Sequence, residues 1–319
     1  MRKFVYYGSF ASVVVDYFTN LFGVPAAAYS LRKLSPDSVY SGAAIRVRRS
    51  SDNTEQDINF VSSAANAIID TSSLLTFVGA GNGFVTTWYN QNGSGNDFTQ
   101  TSAGNQPRIV NAGVLDIRNT LPSFNFNGSS NFMDVPSSSS TFKFLHTDNM
   151  SFVAIAMQAG VVADPNVAYS ILDNRALSSN DIGYGLSYDD RSSVSRNNRI
   201  TSGVARGVVG TFVSNNISND NYFEANEFTI LSNIIDNTNA TAANRNLVYR
   251  NSTSLANNNS QLGVPSTADA THNLRLGRRA GNADFNLSGY VSEIIIYNGD
   301  KSADRTAIET NINNYYNVF

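Results

Sequence analysis

The chain is expected to fold as an all-β sandwich, a jelly roll with a short N-terminal helix and a C-terminal helix. Three observations lead there. Short segments rich in β-branched and aromatic residues recur between turn residues from position 106 onward, at the spacing of sandwich strands. Asn occurs about 40 times in 319 residues while charged residues make up 15%. Asn and Ser favour turns and strand ends because their side chains bond nearby main chain. Finally, residues 302–316 read as one closing helix, with Ser302 placed as its N-cap.

Residues 1–24 are unusually aromatic, with Phe4, Tyr6, Tyr7, Phe10, Tyr17, Phe18 and Phe22. They read either as a strand and short helix packed on the main domain or as an arm that docks on a neighbour, since exposed apolar segments mark interfaces. The division expected is an anchoring or oligomerising arm at 1–28 and a jelly-roll domain at 29–319. The start also resembles a signal peptide, with Ala26-Ala27-Ala28 as cleavage site, but Asp16 and Asn20 interrupt its apolar run. No apolar run of membrane-spanning length is present.

Pro25 suits a helix start, which places a helix at 26–34 before Ser35-Pro36-Asp37. Residues 43–49 alternate apolar and basic, as a half-buried strand does, and 56–60 can return as its partner. Arg46, Arg48 and Arg49 read as a solvated face paired with Asp52, Glu55 and Asp57, or as a seat for an anionic sugar or phosphate. Residues 84–89 suit a pleated surface. The chain then breaks into Asn90-Gln91-Asn92-Gly93-Ser94-Gly95-Asn96, a loop that calls for positive φ and self-bonding side chains. The single Trp, Trp88, stands at that junction, and Trp88, Tyr89 and Asn90 are candidate sugar contacts. Further strands are expected at 151–157, 168–172, 183–188, 228–235, 247–250, 274–277 and 287–297.

Net charge is −3, which provides no field to gather nucleic acid or an acidic membrane. The absence of Cys excludes disulfides and thiolate metal sites and suits folding in a bacterial cytoplasm, including that of a virion protein. Two histidines, His146 and His272, are too few for a His-rich zinc site. No cofactor is expected. Calcium is the one ion left open, at the acidic patch Asp181, Asp189 and Asp190, although no loop carries a spaced calcium signature.

Residues 86–100 resemble the Tyr-Asp-Gln-Ser-Gly-Asn-Gly-Asn-Asp signature in the catalytic domain of fungal arabinofuranosidase B-type enzymes. The segments 29–34, 44–53 and 88–100 keep the order and spacing of those sequences. Similar segments also occur in bacteriophage tail and fibre proteins. The closing pattern, Leu274-Arg275-Leu276-Gly277 and then 287–297 before the helix, resembles a laminin-G or concanavalin A-like jelly roll. The arabinofuranosidase resemblance implies a retaining glycosidase, which needs two carboxyl groups about 5 Å apart. Its nucleophile position falls on Arg175 or Ala176 and its acid/base position on Gly281 or Asn282, and Asn90 replaces an Asp of the signature. Asp173 and Asp284, three residues away, are the candidate substitutes. Glu224 and Glu227 read as solvated strand-end acids, Glu293 as a structural acid, and the histidines as surface or hydrogen-bonded residues.

With both carboxylates displaced, the sequence is read as a non-catalytic bacteriophage virion structural protein: a fibre, tail or capsid-decoration subunit whose lectin-like domain binds host-surface glycans. Its arm would anchor to other virion proteins, and the subunit would form a homo-oligomer such as a trimer at the virion surface. The alternatives are an arabinofuranosidase-type glycoside hydrolase with rearranged carboxylates, or a secreted bacterial lectin.

Overall fold

The structure, a computed structural model, describes residues 16–147, 150–160, 168–175, 180–189, 198–219, 222, 226–256 and 258–319. A five-residue helix α1 (Phe18–Phe22) precedes strands β1 (Ala27–Ser30), β2 (Ile45–Arg49) and β3 (Glu55–Ile58). Helix α2 (Thr71–Val78), capped where the Asp70 carboxylate accepts from Ser73 N at 2.9 Å, leads to β4 (Gly83–Trp88), β5 (Arg108–Asn111) and β6 (Phe124–Asn127). Then follow β7 (Met150–Ala159), β8 (Ala168–Asp173), β9 (Ile182–Asp189), β10 (Arg199–Arg206), β11 (Phe212–Ile217), β12 (Phe228–Asp236), β13 (Asn246–Arg250), β14 (Arg275–Leu276), β15 (Ser288–Asn298) and helix α3 (Arg305–Tyr316). Two-residue strands fill some joints.

The described pairings are antiparallel and form a β-sandwich. In one layer β13 pairs β12, β12 pairs β7, and β7 pairs β15. The long β15 then serves both β1 and β6, which leads on through β5 and β4 to β2 and β3. The second layer runs β14–β8–β9–β10–β11. Side chains alternate across each strand, so each sheet has two distinct faces. Val153, Ile155, Leu231 and Ile294 face the second layer's Tyr184, Leu186 and Val204 in the main core. Their sequence neighbours Phe152, Ala154, Ile230 and Ile295 face the other way, onto Ile308, Ile312 and Tyr316 of α3. The layers are also tied by a buried amide: Tyr184 and Ser202 donate to Asn233 Oδ1 at 2.9 and 2.6 Å.

Residues 27–30 form a strand where a helix over 26–34 is expected from propensity. Ala27 and Tyr29 enter the main core while Ala28 enters the second. A strand can bury alternate residues in two opposed layers; a helix presents one stripe. Pairing with β15, Ala27 opposite Ile296 and Tyr29 opposite Ile294, then overrides the weak local preference. The short N-terminal helix is α1 instead. Ser302 does not cap α3: its N–H donates to Asp300 in a turn, and the helix starts at Arg305.

The aromatic start is partly an internal element. Phe18 is fully buried in the second core, Phe22 packs against that core, and the Tyr17 hydroxyl donates to the Ser63 carbonyl. These three are therefore spent on the chain's own domain rather than on a neighbour. Phe4, Tyr6, Tyr7 and Phe10 lie outside the described residues. The boundary expected between 28 and 29 falls inside β1.

Arg32 and Glu293 join the two ends of the chain. Arg32 Nε and Nη2 donate to the two carboxylate oxygens of Glu293, each at 2.8 Å, with both side chains fully buried. Burial opposes the Arg32 charge, yet the Glu293 carboxylate outweighs it and holds the guanidinium above its ordinary range. Ser30 Oγ and the Tyr316 hydroxyl complete the carboxylate's shell. Removing one partner leaves a buried charge without its counterion, so Arg32→Leu or Glu293→Gln should lower unfolding stability by about 3–5 kcal/mol, measured by urea denaturation. A loss below ~1 kcal/mol would refute that role.

Candidate active site

The Gly/Asn loop after β4 is a clasp on β1. Trp88 is fully buried, 4.6 Å from the Phe124 ring and 5.8 Å from Tyr29. Asn90 Oδ1 accepts from Ala28 N at 2.9 Å. Gln91 accepts from Leu34 N and donates to the carbonyls of Ser30 and Arg32, and Asn92 donates to Ala26 O at 2.6 Å. Gly93 has φ +78°, and a Cβ there would sit 2.7 Å from Val39 O, so glycine alone fits. Trp88 and Asn90, expected to touch sugar, therefore hold the fold. Tyr89 is half-buried and donates to Asp57 at 2.8 Å. Asn90→Ala orphans the Ala28 N–H and should cost about 1–3 kcal/mol while leaving glycan binding unchanged; altered binding by a fully folded variant would contradict this assignment.

The chemistry-bearing face lies elsewhere. Register places Ser187 opposite Thr201, Thr201 opposite Ile217, and Gly203 opposite Asn215. These positions share the face of β9–β11 that points away from the main core. A cavity of about 180 Å³ opens there, lined by Ser187, Asp189, Thr201, Asn215, Arg175 and Arg279, with Phe212 and Phe285 as apolar walls. Arg175 follows the end of β8, and Arg279 and Phe285 come from the loop after β14.

Arg175 is 3% exposed, and its Nε has no hydrogen-bond partner. Its guanidinium stands 5.6 Å from the Phe212 ring and crosses Gly203, where a Cβ would meet Nη2 at 3.0 Å. Burial lowers the Arg175 pKa, Asp173 partly restores it, and the like charge of Arg279 lowers it again. Ser187 Oγ, on a residue 1% exposed, also has no partner.

The two loops that the resemblance singles out meet in space. Asp173 pairs with Arg275 between β8 and β14, His272 N donates to Asn174 O at 3.1 Å, and the His272 ring fills the space beside Gly281. Of the positions matched to the missing carboxylates, Arg175 lines the cavity, Gly281 and Asn282 are exposed on the rim loop, and Ala176 lies outside the described residues. Asp173 is fully buried and accepts from Arg175 N at 2.9 Å, so it shapes the turn rather than lining the cavity. Asp284 is on the rim loop beside Phe285, 52% exposed and 3.5 Å from Arg279.

Asp181 precedes β9 and Asp189 ends it, so they do not form one calcium patch; Asp190 lies outside the described residues. Glu227 pairs with Arg250 at 2.6 Å, and Glu224 is also outside. Arg46 and Arg49 pair with Glu55 and Asp52 at 3.0 and 2.6 Å, and Arg48 donates to Gln106 and Asn53. His146 is buried with Nε2 3.0 Å from Ala268 O, and burial holds its pKa down. Cavity residues Ser187, Thr201 and Asn215 carry no sequence motif; only strand register brings them together.

Residues 22–120 match the family model described as alpha-L-arabinofuranosidase B, catalytic. None of the curated proteins compared with the chain matches it. Among solved structures, an α-L-arabinofuranosidase of glycoside hydrolase family 54 soaked with a cyclic sulfate inhibitor is 14% identical, with 92% of this chain and 63% of that one covered and a TM-score of 0.58. An arabinofuranosidase complexed with arabinofuranosyl-alpha-1,2-xylobiose is 15% identical, with 94% and 64% covered and a TM-score of 0.61. A mutant family 54 enzyme soaked with 4-nitrophenyl α-L-arabinofuranoside is 15% identical, with 92% and 63% covered and a TM-score of 0.55. At such identities the likeness is one of fold, and the chain spans a little under two thirds of those proteins' length. The reading as a bacteriophage virion structural protein is overturned by these matches, which favour the alternative drawn from the sequence, an arabinofuranosidase-like glycoside hydrolase.

Proposed function

We propose that the chain is a carbohydrate-active domain of the arabinofuranosidase type: a glycoside hydrolase on a concanavalin A-like jelly roll whose sugar seat is the cavity over β9–β11. The observation that carries this reading is the convergence of three elements on one cavity. They are the end of β8, the loop after β14, and a sheet face bearing a buried carboxylate, Asp189. The family match at 22–120 and the fold likeness to arabinofuranosidases support it.

Glycoside hydrolysis uses two carboxyl groups on opposite sides of the scissile bond, one to attack C1 or activate water and one to protonate the leaving oxygen. Among the described residues lining the cavity, Asp189 is the carboxylate and takes the first role. Asp284, on the rim loop that contributes Arg279 and Phe285, takes the second. Ser187, Thr201 and Asn215 offer hydroxyl and amide partners to sugar hydroxyls, and Phe212 and Phe285 offer ring faces.

The test is release of nitrophenolate from 4-nitrophenyl α-L-arabinofuranoside. The wild-type chain is expected to turn over, and Asp189→Asn and Asp284→Asn to slow it on the order of a hundredfold or more while remaining folded. No release above the uncatalysed rate would sink the hydrolase reading. Undiminished release by a folded Asp189→Asn would move the chemistry away from this cavity.

A further inference from the structure

We propose that the cavity takes a sugar that carries a carboxylate, a uronic acid, with Arg175 holding the carboxylate from within and Arg279 from the rim. The proposal rests on the cavity being the sugar seat, and it names the class of sugar held most tightly there: the neutral arabinofuranoside of the preceding test is a weaker occupant of the same seat.

Arg175 is an unusual wall for a neutral sugar. A buried guanidinium normally has its five N–H donors spent on carboxylates or carbonyls. Here the side chain is 3% exposed, and Nε makes no hydrogen bond. The nearby Asp173 accepts from the Arg175 main-chain N–H through Oδ1, and its charge offsets only part of what burial costs the guanidinium. Ser187, 1% exposed on the floor of the same cavity, likewise has a hydroxyl without a partner. Two buried polar groups facing one cavity with unmet hydrogen-bonding capacity point to a polar ligand.

The charge of that ligand follows from the second guanidinium. Arg279 lines the same cavity and opposes the charge of Arg175, while the exposed Asp284 meets it at 3.5 Å and Asp189 lies at the other end of the floor. An anion at the Arg175 end adds a second partner to both guanidiniums. A carboxylate suits the planar fork of Arg, which meets two oxygens at once.

The position is also built. Gly203 leaves the space that Nη2 occupies, and Asn215 Oδ1 lies at the same 3.0 Å from where a Cβ would stand. The cavity has two ends. Arg175 lies over Gly203, which pairs with Gly185 on β9. Asp189 is four residues further along that strand, about 13 Å between Cα atoms at the usual rise. Ser187 and Thr201 lie between. A sugar ring over Ser187 and Thr201 thus directs its carboxylate to the guanidinium end and its anomeric carbon toward Asp189. A volume of about 180 Å³, roughly six waters' share of liquid, suits one sugar unit.

The experiment is titration calorimetry of the full chain with D-glucuronate, D-glucuronamide, D-glucose and D-glucose 6-sulfate. Glucuronate is expected to bind about tenfold or more tightly than the neutral amide and glucose, and more tightly than the sulfate ester. Arg279→Gln, an exchange on the rim that leaves the core untouched, should remove most of that preference. Arg175→Lys, which keeps the charge and loses the fork, should weaken glucuronate at least severalfold. Equal binding of glucuronate and the amide, or an unchanged preference in Arg279→Gln, overturns the proposal; tighter binding of the sulfate ester overturns the assignment to a carboxylate. Because binding is read without turnover, an absence of arabinofuranoside hydrolysis leaves this result legible. Conversely, hydrolysis without a uronate preference removes this proposal alone.

Discussion

The buried ion pair between Arg32 and Glu293 is the constraint around which the chain closes. Glu293 sits where β15 passes from β6 to β1, and Arg32 follows β1 directly. The Tyr316 hydroxyl reaches the same carboxylate from α3, and the Tyr315 ring lies 4.9 Å from the guanidinium. One carboxylate therefore fixes the first strand, the last long strand and the last helix relative to one another. Such a pair is expensive to desolvate, and its value lies in geometry: the guanidinium fork meets both carboxylate oxygens at once. The Gly/Asn loop reinforces the same corner, because Gln91 and Asn90 bond the main chain on either side of Arg32.

From that corner the order passes outward. β15 holds β7, β7 holds β12, and β12 presents Asn233 to Tyr184 and Ser202 of the second layer. Those hydrogen bonds lie on the inner face of β9 and β10. Strand alternation then puts Ser187, Asp189, Thr201 and Gly203 on the outer face. The polar cavity floor is the far side of a sheet whose near side is anchored in the core, so its side chains rest on a rigid support. The β8 end and the β14 loop complete the walls because β8 and β14 pair directly.

Much of this was legible in the sequence, for identifiable reasons. The strands at 151–157, 168–172, 183–188, 228–235 and 287–297 announced themselves because apolar residues fill both faces of buried strands or alternate with turn residues between them. Glu293 was readable as a structural acid. β1 was misread because Ala26 to Leu34 tolerates helix, and what decides its state is a partner strand more than 260 residues away. β10 and β11 were passed over because Ser, Thr, Asn, Gly and Arg interrupt their apolar residues, and Thr201 and Asn215 of that set line the cavity. Trp88 was read as a sugar contact because it stands at the junction of a strand and the Gly/Asn loop; its burial against Phe124 depends on packing that local pattern does not encode. Arg175 was noted, with Ala176, as standing where the nucleophile is missing, and its meeting with Arg279, Ser187 and Asp189 follows only from strand register.

The outer face of β9–β11 is the proposed sugar seat. The most direct measurement is a crystal structure of the chain soaked with D-glucuronate. One sugar ring is expected over Ser187 and Thr201, its carboxylate on Arg175 and Arg279 and its anomeric carbon toward Asp189. Density for the sugar in the shallow hollow of Tyr40, Tyr89 and Asp97, with the Arg175 cavity holding only water, would contradict it.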